Sequence, residues 1–358
     1  MTHVNQNHAT RMFDGQTLRE RHPDLSEPFP KGIIPDEIAM AYGRRHVHKL
    51  VNVLSLPETD LPPAERARAL RYLLSLMTNQ ESKAEAVTRN TAAPLAALLT
   101  HDDPETKRLA CDALASLAHL RDGRATATRA DAVAATTKLL ADDDAGVQVA
   151  AAGFLASMAK HSDGAAAVLS AGEGEVVAAL ATSANDPSTD PRAKTLGCET
   201  LALCTLTDEG VLVALRGGTA KALMRALEGE AARTHADLRA AVARCLKNVC
   251  QHETGKIQAL EQGVVASLAP LLRSRDADVR LQATGALMGV TLENDAKLSV
   301  TRAARNDLVA LLRDPNAAVA ENALSALQNC CESPAARALV LQVLSDRDRA
   351  LVFNPQVV

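Results

Sequence analysis

The chain has 358 residues, of which 47% are apolar and 23% charged, with a formal net charge of −4 and a pI near 6.2. That balance lacks the basic excess of a nucleic-acid binder, and the sequence shows no run of about 18 apolar residues suited to crossing a bilayer. Its seven cysteines are odd in number and form no Cys-x-x-Cys pair, so they read as small buried hydrophobes in a reducing compartment rather than as disulfides or zinc ligands.

Residues 1–35 are polar, interrupted by Pro23, Pro28, Pro30 and Pro35, and carry no helical period, which predicts an extended N-terminal arm. With no apolar segment near its start, the chain is expected to carry neither a secretory signal nor a transit peptide. The arm nevertheless holds Phe13 and Phe29, half of the chain's four Phe, together with Ile33 and Ile34. Either it docks through these groups, on the rest of the chain or on a partner, or it is disordered. From Asp36, a good N-cap after Pro35, a helix is expected with Ile38, Tyr42, Leu50 and Leu54 near one face. Arg44, Arg45, His46, His48 and Lys49 form a basic cluster on it. The cluster is either a solvated face or a contact for an acidic partner.

From near residue 50 to near residue 331 two signatures recur in phase. A Leu pair or Ala-Leu closes one helix at Leu98-Leu99, Leu139-Leu140, Ala179-Leu180, Ala226-Leu227, Leu271-Leu272 and Leu311-Leu312, at intervals of 41, 40, 47, 45 and 40 residues. The second signature is Ala113-Leu114-x-x-Leu117, Phe154-Leu155-x-x-Met158, Cys245-Leu246-x-x-Val249, Ala286-Leu287-x-x-Val290 and Ala326-Leu327-x-x-Cys330. Such a period predicts an all-α, right-handed superhelical solenoid of about six to seven three-helix repeats over residues 36–346, with a tail over 347–358.

Within one repeat, Glu253 to Thr291, a short helix follows Gly255 and ends at Gly263. The segment VVASLAPLLRS makes the second helix, and Asp276 or Asp278 caps the third. Gly123, Gly164 and Gly210 recur in step with Gly255 as stop-and-start residues. Asp103-Pro104, Asp186-Pro187 and Asp314-Pro315 read as starts of third helices. Val279, Ala283, Ala286, Leu287 and Val290 form a core stripe that only the next repeat can cover. The longest interval reflects an insertion, SANDPSTDP, expected to protrude as a tolerated loop or a partner contact.

No phosphate-binding loop or G-x-S-x-G elbow is present. His46 and His48 fall on different sides of a helix, and Asp142 to Asp144 read as a helix cap. A non-catalytic protein is expected, with no cofactor and no metal. The helix pattern resembles the armadillo family over about residues 45 to 345. In that family the third helices line a groove, where import receptors hold an extended peptide with ladders of Trp and Asn. Here the Asn slot holds Asn248 and Asn329, but Ser116, Ser157 and Gly289 elsewhere. The Trp slot holds Asp112, Gly153, Arg244, Gly285 and Ser325. The resemblance makes Arg244, Asn248 and Asn329 candidate partner contacts, although the two Asn equally suit capping of local backbone.

Four segments are similar to the radial spoke head protein 14 family of armadillo proteins: DEIAMAYGRRHVHKLVNVL from Asp36, RCLKNVCQHETGKIQAL from Arg244, ATGALMGVTLENDAKLSV from Ala283, and LVFNPQ from Leu351. The N-terminal arm is longer than that family's leader. The resemblance implies a structural subunit of the axonemal radial spoke of motile cilia and flagella, in the cytoskeleton, supporting the regulation of dynein-driven motility. Other spoke proteins would be its partners, self-association is left open, and neither nucleic acid nor membrane is implied. The alternative is a soluble cytoplasmic armadillo adaptor that binds an extended peptide or cargo protein. A third class, a HEAT-like subunit that regulates an enzyme, is also compatible with the residues.

Overall fold

The computed structural model describes residues 45–57 and 59–353, and every regular element among them is helical. The arm with Phe13, Phe29, Ile33 and Ile34, the residues from Asp36 through Arg44, and the side chain of Arg45 lie outside the described residues. The chain divides into two units, 1–89 and 90–358.

The first unit contains the helices Arg45–Leu54, Pro63–Leu76 and Gln80–Thr88. Val47, Leu50 and Leu54 of the first helix are buried, while His48 is exposed. Arg66, the fourth residue of the second helix, is buried. Its guanidinium donates to the carbonyls of Leu54 (3.1 Å), Leu56 (3.0 Å) and Leu61 (3.2 Å). A helix end leaves carbonyls without partners, and a cation there satisfies both their hydrogen bonding and the helix dipole.

The second unit is built on a row of six long third helices: Pro104–Ala118, Ala145–Ala159, Pro191–Cys204, Ala236–Gln251, Ala277–Val290 and Ala317–Cys331. Each packs on the next. The helices that precede each third helix, most of them shorter, close over the row. The stripe Val279, Ala283, Ala286, Leu287 and Val290 is fully buried, as are Leu114, Leu155, Leu201, Leu246 and Leu327 at corresponding places. Ala and Leu dominate because neighbouring helices must approach closely along their whole length.

Caps follow the expected chemistry with two corrections. Asp103 accepts from the Thr106 N–H (2.8 Å), Asp144 from Val147 (2.9 Å), and Asp276 from Asp278 (2.9 Å) and Val279 (3.0 Å). Asp186-Pro187 and Asp314-Pro315, however, do not open third helices; Asp190 and Asn316 cap there instead. Asp186 is engaged by the N–H and hydroxyl of Ser188 inside the insertion, and Asp314 by Arg280. The insertion is also tethered: Thr189 is buried, and the Asp190 N–H donates to Gln148 Oε1 at 2.8 Å.

The recurring glycines serve close approach rather than stopping. Gly123, Gly164, Gly210 and Gly255 lie inside the first helices. A Cβ there would stand 2.0, 2.1, 1.8 and 2.3 Å from the carbonyl oxygens of Leu117, Met158, Cys204 and Val249, each near the end of the preceding third helix. Gly263 does end a first helix, in the left-handed region at φ +87. In the following repeat Ala304 holds the corresponding place, and the chain continues as one helix of 18 residues, Asn294–Leu311. That repeat therefore has two helices rather than three. The longest apolar stretch among the described residues, Ser162–Asn185, is broken by positive φ at Gly172, Glu173 and Gly174 into helices of 9 and 11 residues, each too short to cross a bilayer.

Polar rungs hold the register between repeats. The fourth residue of successive third helices is Lys107, Gln148, Lys194, Arg239, Arg280 and Ala320. Lys107 pairs with Asp142 of the next repeat. Arg280 forks onto Asp314 through Nε (2.6 Å) and Nη2 (3.1 Å) while Nη1 donates to the Ser274 carbonyl (2.9 Å). A second series joins first-helix cations to the following repeat: Arg124 to Asp163 (2.8 Å), Lys256 to Glu293 (3.0 Å) and Lys297 to Glu332 (2.6 Å). The Arg280 fork holds the Asp314 carboxyl below the ordinary carboxylate range, and the Arg124 hydrogen bond does the same for Asp163.

Leu246→Ala and Leu287→Ala should each cost about 2–5 kcal/mol in urea unfolding, since both side chains are fully buried between repeats. Arg280→Ala should cost about 3–5 kcal/mol by leaving Asp314 buried without its partner, whereas Arg233→Ala, at an exposed pair with Glu230, should cost less than about 0.5 kcal/mol. Because the folded-state pKa values of Asp314 and Asp163 are depressed, their contribution is complete above the unfolded value and lost as pH falls through the folded one. Thermal midpoints should therefore drop steeply below about pH 4, and less steeply in Arg280→Ala.

Candidate interaction surface

With both flanks of each third helix buried against its neighbours, only a narrow outward strip remains. Over the first three third helices that strip forms a recess of about 540 Å³. Its floor is small and apolar, with Ala115, Val149, Gly153 and Leu196, and its rim carries Arg108, Asp112, Asp190 and Arg192. Burial raises the Asp112 carboxyl above its ordinary value, opposed by Arg108, whose Nη1 lies 3.3 Å from it. Two cations and two anions share the rim, so the recess suits a polar backbone or a mixed-charge segment rather than a strongly charged one.

The two Asn of the strip face inward. Asn248 is buried, and its Nδ2 donates to the Ala202 carbonyl at 2.7 Å, in the last turn of the preceding third helix. Asn329 Nδ2 donates to Thr291 Oγ1 at 3.1 Å, at the corresponding helix end one repeat back. Arg244 is partly exposed and pairs with Asp278 of the next third helix at 2.7 Å. The structure thus places Arg244 and Asn248 on the fourth third helix of the row and Asn329 on the sixth, but spends their donors within the chain.

A second feature of the surface is apolar. Leu206 (69% exposed) and Leu292 (62%) follow third helices, and Leu212 and Ile257 stand exposed on first helices of the same part of the row. The signal was present: equivalent places in other repeats carry His119, Lys160 and Gln251 for Leu206 and Leu292, and Ala125 and Ala166 for Leu212 and Ile257. Beside Ile257 lies a recess of about 490 Å³ with Leu260, Val265 and Ala266, rimmed by Glu261 and Asp295.

All seven cysteines are free and buried. Burial pushes the thiols of Cys204, Cys245 and Cys250 up to about 12 and that of Cys331 to about 11, and it raises Cys111, Cys198 and Cys330 as well. They remain thiols at neutral pH and pack as hydrophobes. Among the described residues no group of three or more His, Cys, Asp or Glu is placed to hold a metal ion.

The model of the HEAT-like repeat matches residues 236–287, from the start of one third helix to near the end of the next. No curated protein matches the chain. Among solved structures, one engineered protein is 26% identical and superposes with a TM-score of 0.70 over 83% of this chain and 71% of its own. A second, also 26% identical, superposes at 0.59 over 68% of this chain and 96% of its own. The three-helix period, the buried row and these likenesses agree on an all-α armadillo/HEAT-type repeat solenoid, an architecture whose free strip serves as a protein-interaction scaffold.

Asn248→Ala should lower stability by about 1–2 kcal/mol, because the Ala202 carbonyl loses its buried donor. Equilibrium urea unfolding measures it; no loss would contradict the inward, capping placement.

Proposed function

We propose that the chain is a non-catalytic scaffold that holds protein partners on its third-helix strip and on the exposed Leu206, Leu212, Ile257 and Leu292. The observation that carries this reading is the row itself: its flanks are used up in joining repeats, and large apolar side chains still stand in solvent beside a recess. Central apolar anchors of this kind dominate binding energy, while rim charges such as Arg108 and Arg192 adjust it.

For the setting, we propose the axonemal radial spoke of motile cilia and flagella, with other spoke proteins as partners and support of dynein regulation as the role. What supports it is the similarity of four segments to spoke armadillo proteins. Two of them, from Arg244 and from Ala283, include the junction residues Asn248, Gly255, Lys256 and Lys297, which join adjacent repeats here. A stiff, continuously packed row suits a mechanical spacer.

Salt and detergent fractionation of ciliated cells tests the proposal. Recovery with the detergent-insoluble axoneme, released with spoke components at high salt, is the expected result. A wholly soluble protein, at equal level with and without cilia, would reject the spoke and favour the adaptor reading.

A further inference from the structure

One rung of the polar ladder has no counterpart. Lys194 is the fourth residue of the Pro191–Cys204 helix, the place held elsewhere by Lys107 and Arg280. It is only 6% exposed, yet among the described residues its ammonium has no hydrogen-bond or ion-pair partner. The partners of Lys107 and Arg280 are carboxylates two residues ahead of the next N-cap: Asp142 before Asp144, and Asp314 before Asn316. Ahead of the N-cap His235 the same place holds Arg233, a residue of the same sign as Lys194.

The nearby acceptors already receive donors from other residues: the Ala232 and Arg233 carbonyls receive Arg239 at 2.6 and 3.0 Å, and Asp186 Oδ1 receives both the Ser188 N–H at 2.9 Å and its hydroxyl at 2.7 Å. Lys194 lines a cavity of about 350 Å³ instead, together with Arg225, His235, Thr189 and Thr234. Glu230 is the one carboxylate among the lining residues, and it pairs with Arg233 at 3.5 Å. Burial pulls the Lys194 ammonium below its ordinary value, with Asp186 opposing. Burial works against the Lys194 charge, and an oxyanion entering the cavity would add to the countercharge that Asp186 supplies.

We propose that this cavity binds an oxyanion: Lys194 and Arg225 take the carboxylate or phosphate group of a ligand, at the rung position where Lys107 and Arg280, elsewhere in the row, meet Asp142 and Asp314. The geometry of the intact rungs defines the slot, with a cation from the start of one third helix facing an anion held at the next loop. The site does not depend on the spoke assignment, because small anions probe it directly.

The test uses the full chain labelled with 13C at lysine Cε, titrated with sodium phosphate and with sodium acetate against sodium chloride at matched ionic strength. The Lys194 signal is the one absent from Lys194→Met. It should shift saturably with phosphate or acetate and not with chloride. Arg225→Met should raise the half-saturation concentration roughly tenfold, as expected for loss of one charge-assisted contact. The anion that saturates at lower concentration identifies the source, phosphate pointing to a phosphoryl group and acetate to an acidic side chain. Lys194→Met should also leave the thermal midpoint unchanged or raised, whereas Lys107→Met lowers it. A Lys194 signal that follows ionic strength alone, a saturation unaffected by Arg225→Met, or a midpoint lowered in Lys194→Met as far as in Lys107→Met would each overturn the proposal.

Discussion

Each inner third helix of the row is covered on both flanks by third helices of neighbouring repeats, and the rest of the second unit follows from that constraint. No repeat can bury Leu246, Leu287 or Val279 by itself. Interfaces between repeats must therefore supply the apolar burial that a globular domain finds in one central core. The side chains are small because the helix axes run close together. The glycines set against Leu117, Met158, Cys204 and Val249 carry the same demand into the junctions, where even one methyl group has no room.

Apolar stripes of Ala and Leu are uniform and would tolerate sliding by a turn. The polar rungs remove that freedom. Arg280 meets Asp314 in a two-bonded fork, Gln148 spans the Asp142 carbonyl and the Asp190 N–H, and Asn248 reaches the Ala202 carbonyl; each contact is made in only one register. Their net contribution to stability is modest beside the apolar burial, but the cost of breaking one is large. The same economy explains why the Asn row presents so little to a partner: its donors already join one repeat to the next.

Much of this was legible in the sequence. Two phased signatures marked the helical stack and its buried stripe, while Gly263, Asp103-Pro104 and the choice between Asp276 and Asp278 marked a turn and two caps. Caps failed at Asp186 and Asp314 because Asp-Pro is a helix start only when no stronger claim falls on the carboxylate, and Ser188 and Arg280 make such claims. The fused helix Asn294–Leu311 turned on a single residue, Ala304, in the place of Gly263. The rung at the fourth position escaped notice because its chemistry varies among Lys, Gln, Arg and Ala, so no identity recurs for the eye to find. Functional contacts were less legible still. Arg244 looked like a groove contact from its slot alone, and its pairing with Asp278 is visible only in three dimensions. Leu206 and Leu292 stood out only once exposure was known.

Mutual burial of adjacent repeats is tested most directly by native-state hydrogen exchange of Leu246→Ala against the parent chain. Loss of protection should spread from Ala236–Gln251 to both flanking third helices, Pro191–Cys204 and Ala277–Val290, and fade toward Pro104–Ala118. Loss confined to the mutated helix, or equal loss across all six, would contradict the account.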